Sequence, residues 1–283
     1  MKIAHLILCH TNAPQVGRLI NSLSHKDAHF YIHVDLKTDI APYEYLTELP
    51  GVILIKKRIK VYWGGYSIVQ ATINGFEQIR SSGFEYGYIN LLSGQDYPLK
   101  STVAIHRFFE NNPGKAFVDT RTHNTGTQPA QNRVTQYYFG DIKTKGTYTA
   151  ERLATRFLKR KFPETFPPVG CSQWFTITPQ LLAYTLEFLN HNPSIKSKFK
   201  YMWAPDELVF PSILFNSKHK DAIVHDCLRY VDWSEEKPSP KILTMADADA
   251  LIHSDKLFAR KFDMNTDTQI MDYLDKFIAS GNN

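Results

Sequence analysis

The side chains that could do chemistry fall in a few short stretches. His10 and Asp35 stand at the ends of the apolar runs Lys2 to His10 and His29 to Asp35. A carboxylate at the end of a second strand can accept hydrogen bonds from a nucleotide base or ribose, and it is equally an ordinary turn residue. Asp96 follows a strand pattern in LLSGQDYPLK (91–100). It stands alone there, and a divalent cation usually takes one or two carboxylates plus substrate phosphates. Pro205-Asp206-Glu207 opens a helical pattern, with Pro in the first turn. Its acids complement the helix dipole. Alternatively, the helix N-terminus holds Glu207 ionised, the state a general base needs. Arg229 and the run Ala259-Arg260-Lys261-Phe262 supply cations. They read as surface charges or as a pair that neutralises a diphosphate leaving group without a metal. A literal D-x-D occurs at Asp247-Ala248-Asp249 before an amphipathic stretch, where acids read as helix capping or, alternatively, as a metal pair.

The elements that must position these groups alternate along the first 120 residues. Apolar runs predict strands at Lys2–His10, His29–Asp35, Gly51–Ile55, Tyr86–Leu92 and Ala116–Asp119. Helical spacing predicts helices over Pro14–Leu23, Ser67–Ile79 and Thr102–Phe109. Strand–helix alternation with short connections means a mostly parallel sheet flanked by helices, with ligands bound at the carboxyl ends of its strands. Residues 121–149 then turn polar and read as a long loop of the kind that covers a binding site. A basic helix is predicted over Ala150–Phe162, holding Arg152, Arg156, Lys159, Arg160 and Lys161, which suits a solvated face or an anionic bilayer. Further on, a strand is predicted at Trp174–Ile177 and a helix at Gln180–Leu189. The remaining segments, Ala204–Phe215, Leu228–Trp233 and Leu251–Phe262, read as a last helix-plus-tail region.

Composition narrows the classes. The 283 residues are 43% hydrophobic and 22% charged, which excludes general disorder and supports one large core or two modest ones. No apolar run approaches the ~20 residues of a membrane span, and the N-terminal stretch reads as a first strand rather than a secretory signal. Three scattered cysteines predict reduced thiols, with no disulfide framework or zinc site. GxGxxG and GxxxxGK[ST] are both missing, which argues against dinucleotide-dependent dehydrogenases and P-loop enzymes. A net charge of +5 suits an anionic partner.

Several motifs stand in one order: ILCH (7–10), HKDAHFYIHVD (25–35), VYWGGYS (61–67), INLLSGQDYPLKS (89–101), GCSQWF (170–175), APDE (204–207), LRYVDW (228–233) and LFARKFD (257–263). Together the chain resembles the core-2/I-branching β-1,6-N-acetylglucosaminyltransferase and peptide O-xylosyltransferase family from about residue 2 to about residue 265. The resemblance implies a GT-A-type fold, a UDP-sugar donor, and inversion at the anomeric carbon with no obligatory metal or other cofactor. It places Glu207 at the catalytic base and Arg229 and Lys261 at the two cations that hold the diphosphate. Leu8, His10, Asp35, Lys37, Trp63 and Asp96 fall on the donor side, and Gln173, Trp174 and Asp206 on the acceptor side. Gln173 stands where xylosyltransferases carry an acidic residue, so the donor sugar, GlcNAc or xylose, is left open.

The expectation is a single transferase domain over 1–265, with an insertion at 121–162 and a tail or helix at 266–283. Lacking an anchor and paired cysteines, the chain is expected to be a bacterial, cytoplasmic member, peripheral at the membrane through 150–162. A glycan, lipid-linked or polysaccharide acceptor is expected, and no nucleic acid. Three rivals remain. One is a metal-dependent transferase using Asp247 and Asp249. Another is a glycosidase, disfavoured because adjacent Asp206 and Glu207 diverge instead of facing each other across a cleft. The last is a non-enzymatic module that binds anions or membrane through its basic face.

Overall fold

The computed structural model describes residues 1–120, 133–158 and 160–281. Strand β1 (Ile3–Cys9) is the centre of the architecture, because its side chains are apolar on both faces. It pairs in parallel with β2 (Ala28–Val34) on one side and β4 (Tyr88–Ser93) on the other, and β3 (Val52–Leu54) extends the sheet beyond β2. Past β4 the sheet changes sense. There β7 (Thr176–Ile177) runs antiparallel to both β4 and β6 (Ala116–Phe117), and β8 (Ile223–Val224) closes the edge parallel to β6. The strand order is β3-β2-β1-β4-β7-β6-β8. This is the mostly parallel, helix-flanked plan that the strand–helix alternation predicts.

Strand alternation divides the core into two layers. Ile3, Ile7, Phe30, Ile32, Tyr88 and Leu92 face helices α1 (Ala13–Ser22) and α3 (Thr102–Glu110). Ala4, Leu6, Tyr31, Ile89 and Leu91 face α2 (Ser67–Arg80), α5 (Pro179–His191) and α6 (Val209–Phe215). Each fully buried Leu, Ile or Phe contributes roughly 1.5–3 kcal/mol. Capping fixes the helix starts: Asn12 accepts the Gln15 N–H, Ser101 that of Ala104 and Thr178 that of Leu181. The final helix, α7 (Gln269–Ala279), buries Ile270, Met271 and Leu274 in the first layer.

A second sheet joins β5 (Asp96–Pro98), β10 (Phe258–Arg260) and β9 (Arg229–Val231). Two expected helices differ in extent. The basic helix, α4, runs over Thr147–Phe157 and none of its residues is buried. It stops short of Arg160, which is itself buried and donates to the carbonyls of Arg133, Val134 and Gln136. Arg160 therefore cannot face a bilayer, while Lys159 and residues 121–132 of the polar loop lie outside the described residues. The segment expected to be helical from Ala204 is one 3-10 turn, Pro205–Glu207, and the α-helix begins only at Val209. Among the described residues no helix is long and apolar enough to cross a membrane.

Candidate active site

A cavity of about 640 Å³ opens at the carboxyl ends of β1, β2 and β4, bordered there by Leu8, His10, Asp35, Ser93 and Gln95. Open α/β sheets bind ligands at this position. Of the residues singled out in the sequence, Leu8, His10, Asp35, Trp63, Gln173, Trp174, Asp206, Glu207, Arg229 and Lys261 border it. Lys37 and Asp96 do not. The Lys37 ammonium lies outside the lining, 3.4 Å from Asp35 Oδ2 and 4.7 Å over the Tyr62 ring. Asp96 is wholly buried because Asp96–Pro98 is itself a strand, paired with β10. It accepts the Ser93 N–H and lies 3.7 Å from Arg260 Nε. Burial pushes its carboxyl up, and Arg260 and Arg229 oppose that. Asp96 thus holds Arg260 in place rather than touching a ligand.

Among the described residues four carboxylates border the cavity, and burial separates them. Asp35, Asp119 and Asp206 are 5%, 4% and 7% exposed, whereas the Glu207 side chain is 32% exposed. Asp35 Oδ1 is already engaged by the backbone N–H groups of Lys37 and Val61. Burial, and then the charge of Glu207, push Asp206 up to about 7. Its Oδ1 has no hydrogen-bond partner among the described residues. The Glu207 charge faces Arg133, which donates to Oε2 at 2.9 Å and to the Ala204 carbonyl. Glu207 lies in the one-turn 3-10 helix Pro205–Glu207 that leads into α6, so Arg133 stands beside the helix start expected from the sequence.

The turn carrying Glu207 is clamped. Ala204 adopts φ 45° with its N–H on the Gly64 carbonyl, a left-handed conformation that a non-glycine residue holds only when its surroundings impose it. Gly170, the first residue of GCSQWF, has φ 126°, and a Cβ there would lie 2.3 Å from the Glu207 carbonyl. The motif glycine is thus what lets the Gln173-Trp174 loop pack behind the turn.

The cations divide into structural and available ones. Arg229 is 4% exposed and follows Leu228, which also has a positive φ of 60°. Its guanidinium donates to Asn90 Oδ1 and to the carbonyls of Leu91 and Cys227, so its two terminal nitrogens are committed to the fold. Arg260, beside the expected Lys261, lies 4.5 Å over the Trp174 ring and borders the cavity. Lys261 donates to Ser239 Oγ at 3.2 Å, and burial followed by the charge of Arg260 pulls its ammonium below the usual lysine range. His10 is lowered by burial, with Asp35 opposing. Convergent cations in a partly desolvated cleft favour a phosphate-bearing ligand.

All four tryptophans of the chain border this cavity: Trp63, Trp174, Trp203 and Trp233. Trp63 and Trp233 are 62% and 54% exposed, so they present flat apolar faces to solvent. Trp63 meets Trp203 edge-on at 4.6 Å. Gly64 of VYWGGYS has φ 71°, and a Cβ there would lie 2.5 Å from the Trp203 ring. Sequence reasoning took Arg260 only as part of a basic run, and missed Arg133, Trp203 and Trp233. The scarcity of tryptophan was a usable signal for the last two, and adjacency to Lys261 for Arg260. Arg133 carried no signal.

The D-x-D alternative does not reach the cavity. Asp247 caps the turn at Thr244 and pairs with Lys241 at 2.5 Å, while Asp249 is exposed beside His253. Among the described residues no three His, Cys, Asp or Glu side chains gather to hold a metal ion.

A cleft of carboxylate, cations and tryptophans at the strand ends of a mostly parallel sheet defines a class of ligand-binding α/β protein. The Core-2/I-branching enzyme model matches residues 3–253, and the chain belongs to that family. Xylosyltransferase oxt of Drosophila melanogaster is 26% identical over 246 residues, which is 84% of this chain and 27% of that protein. Xylosyltransferase 2 of Rattus norvegicus is 22% identical over 300 residues, 97% of this chain and 33% of the relative. The chain thus spans about a quarter to a third of the length of these relatives. Among solved structures, apo mouse xyloside xylosyltransferase 1 is similar with a TM-score of 0.41 and 12% identity, covering 93% of this chain and 99% of the other.

Proposed function

We propose that this chain is an inverting, metal-independent glycosyltransferase that moves a sugar, GlcNAc or xylose, from a UDP-sugar to a hydroxyl of a glycan acceptor. The observation that carries the reading is the sorting of the cavity carboxylates: three are buried, and Glu207 alone is substantially exposed. Glu207 takes the proton of the acceptor hydroxyl as that oxygen bonds to the anomeric carbon. The bond from that carbon to the diphosphate oxygen breaks, its electron pair leaves with UDP, and the configuration inverts. Lys261 and Arg260 neutralise the departing diphosphate, and Arg229 adds its charge from beneath. His10, Asp35 and Leu8 hold the uridine end at the strand tips, with Trp63 beside it. Gln173, Trp174 and Asp206 face the sugars. The family membership and the xylosyltransferase relatives support the transferase reading.

Calorimetric titration of UDP, with ADP as control, in chelator and again with Mg²⁺ or Mn²⁺ tests this. UDP-selective binding unchanged by chelator is expected. Binding that appears only with added cation would overturn metal independence, and no UDP binding at all would overturn the function.

A peripheral contact with an anionic bilayer is proposed for the outer face of α4. Leu153, Phe157 and the adjoining Leu158 are 52%, 70% and 55% exposed, and Lys145 and Lys161 flank them in the chain, also exposed. Sedimentation with anionic vesicles should fall when Leu153 and Phe157 are changed to Ser. Unchanged sedimentation would discard the contact.

A further inference from the structure

A second cavity, of about 590 Å³, lies between α4 and the segment around residues 136–138. Trp203 borders both cavities. Arg133 borders the second and donates to Glu207, which borders the first. The two spaces therefore adjoin at the proposed base.

The lining of the second cavity is aromatic and basic. Tyr137, Tyr138 and Tyr148 contribute rings, and Tyr148 is 71% exposed. Arg152 and Arg156 stand on the cavity side of α4, four residues apart on one helix face. Neither has a carboxylate within ion-pair distance among the described residues; their recorded contacts are with the faces of Tyr148 and Phe157. The carboxylate in the lining, Glu151, is taken up by the Phe139 N–H at 2.8 Å. Unpaired guanidiniums match an anionic group with two parallel hydrogen bonds, and tyrosine and tryptophan rings match the C–H faces of sugars. The volume accommodates roughly two or three sugar rings, within the ordinary range for a ligand site.

We propose that this second cavity is the acceptor site and that the acceptor is an oligosaccharide bearing an anionic group. The chain lies along Tyr148 and Tyr138 with its anion on Arg152 and Arg156, and its terminal hydroxyl reaches Glu207 past Trp203. The proposal rests on the glycosyltransferase reading and names its acceptor class. A carboxylate and a phosphate would satisfy the same arginines.

Calorimetry on the whole protein decides it. The probes are a galacturonic acid tetramer, its methyl ester, and a phosphorylated mannose oligomer. One or both charged probes should bind, and the ester at least ~10-fold more weakly. Whichever charged probe binds more tightly identifies the anion. The double variant Arg152→Gln/Arg156→Gln should weaken the charged probe by ~10–100-fold. Its thermal midpoint should match the wild type, because neither side chain is buried. Three results would each overturn the proposal: equal binding of the ester, no binding of either charged probe, or full retention of binding by the double variant. Loss of anionic-vesicle binding in that variant, with oligosaccharide binding intact, would reassign the arginines to a lipid surface and overturn it as well. UDP is titrated alongside in the wild type. Absence of UDP binding would sink the transferase reading while leaving the probe comparison readable.

Discussion

Arg229 and Arg156 belong to the same pair of adjoining cavities and are held in opposite ways. Arg229, at the floor, is 4% exposed and donates to two side chains and two backbone carbonyls. Arg156 lies in the outer wall, on a helix with no buried residue, and its recorded contact is the neighbouring Phe157 ring. The floor is made by strand ends whose positions many pairings over-determine. The outer wall rests on little, so its side chains can change without disturbing the sheet. Under the proposed function, tight recognition of a fixed ligand part falls to the floor and adaptable recognition of a variable part to the wall.

The comparison can be broken at several points. Glu207→Gln joins floor and wall, so it carries the largest expected effect: transfer should drop ~10²–10⁴-fold, the usual share of one general acid–base group. UDP affinity and the unfolding midpoint should stay put. A fully active variant would remove Glu207 from the mechanism. Arg229→Gln should cost ~1–3 kcal/mol of stability in denaturant titration, because the buried acceptors on Asn90, Leu91 and Cys227 lose their donors. Arg156→Gln, in the same assay, should stay within ~0.5 kcal/mol. Equal costs would erase the distinction between floor and wall.

Asp206 tests the floor through pH. Its folded carboxyl, at about 7, lies above its ordinary value of 3.8. Between those values the folded protein keeps a proton that the unfolded chain has released, so stability drains away as pH rises through that window and levels off above it. Asp206→Asn cannot ionise. It should therefore leave stability little changed at pH 4 and gain on the order of 2–4 kcal/mol over the wild type at pH 8. A gain independent of pH would show that the carboxyl is solvated. The smallest effect is expected for Trp63→Ala: a midpoint unchanged within error, with ligand affinity down by roughly 0.5–1.5 kcal/mol, the worth of one aromatic contact.

The central strands were legible in the sequence because a parallel strand buried on both faces is a continuous apolar run, as in Ile3–Cys9 and Ala28–Val34. Their predicted ends differ from the observed ones by a residue or two. Strands β5 and β8 were not legible. They are three and two residues long, and β5 finds its partner, β10, some 160 positions further along the chain. The same blindness misplaced Asp96, which looks like a strand-tip carboxylate until the pairing that turns it inward is known. Glu207, Lys261 and Trp63 stood out through motif order. Arg133 did not, because it sits in a polar stretch without periodicity and shows its part only through contacts such as those with Glu207 and the Ala204 carbonyl.

Gln15 has a consequence for synthesis. Its buried amide donates to the carbonyls of Gly94 and Phe262 and accepts the Met264 N–H, so the first helix is tied to the strand that ends at Arg260. The span between Gln15 and Phe262 is 247 positions. A nascent chain can assemble β1 to β4 early, yet the cavity floor stays open until Phe262 and Met264 have left the ribosome. Until then Arg229 and Arg260 lack the β9–β10 pairing that fixes them. Closing so long a loop makes this the late event of folding. Ribosomes arrested near codon 255 should therefore carry a chain with a protected central sheet and no competent site.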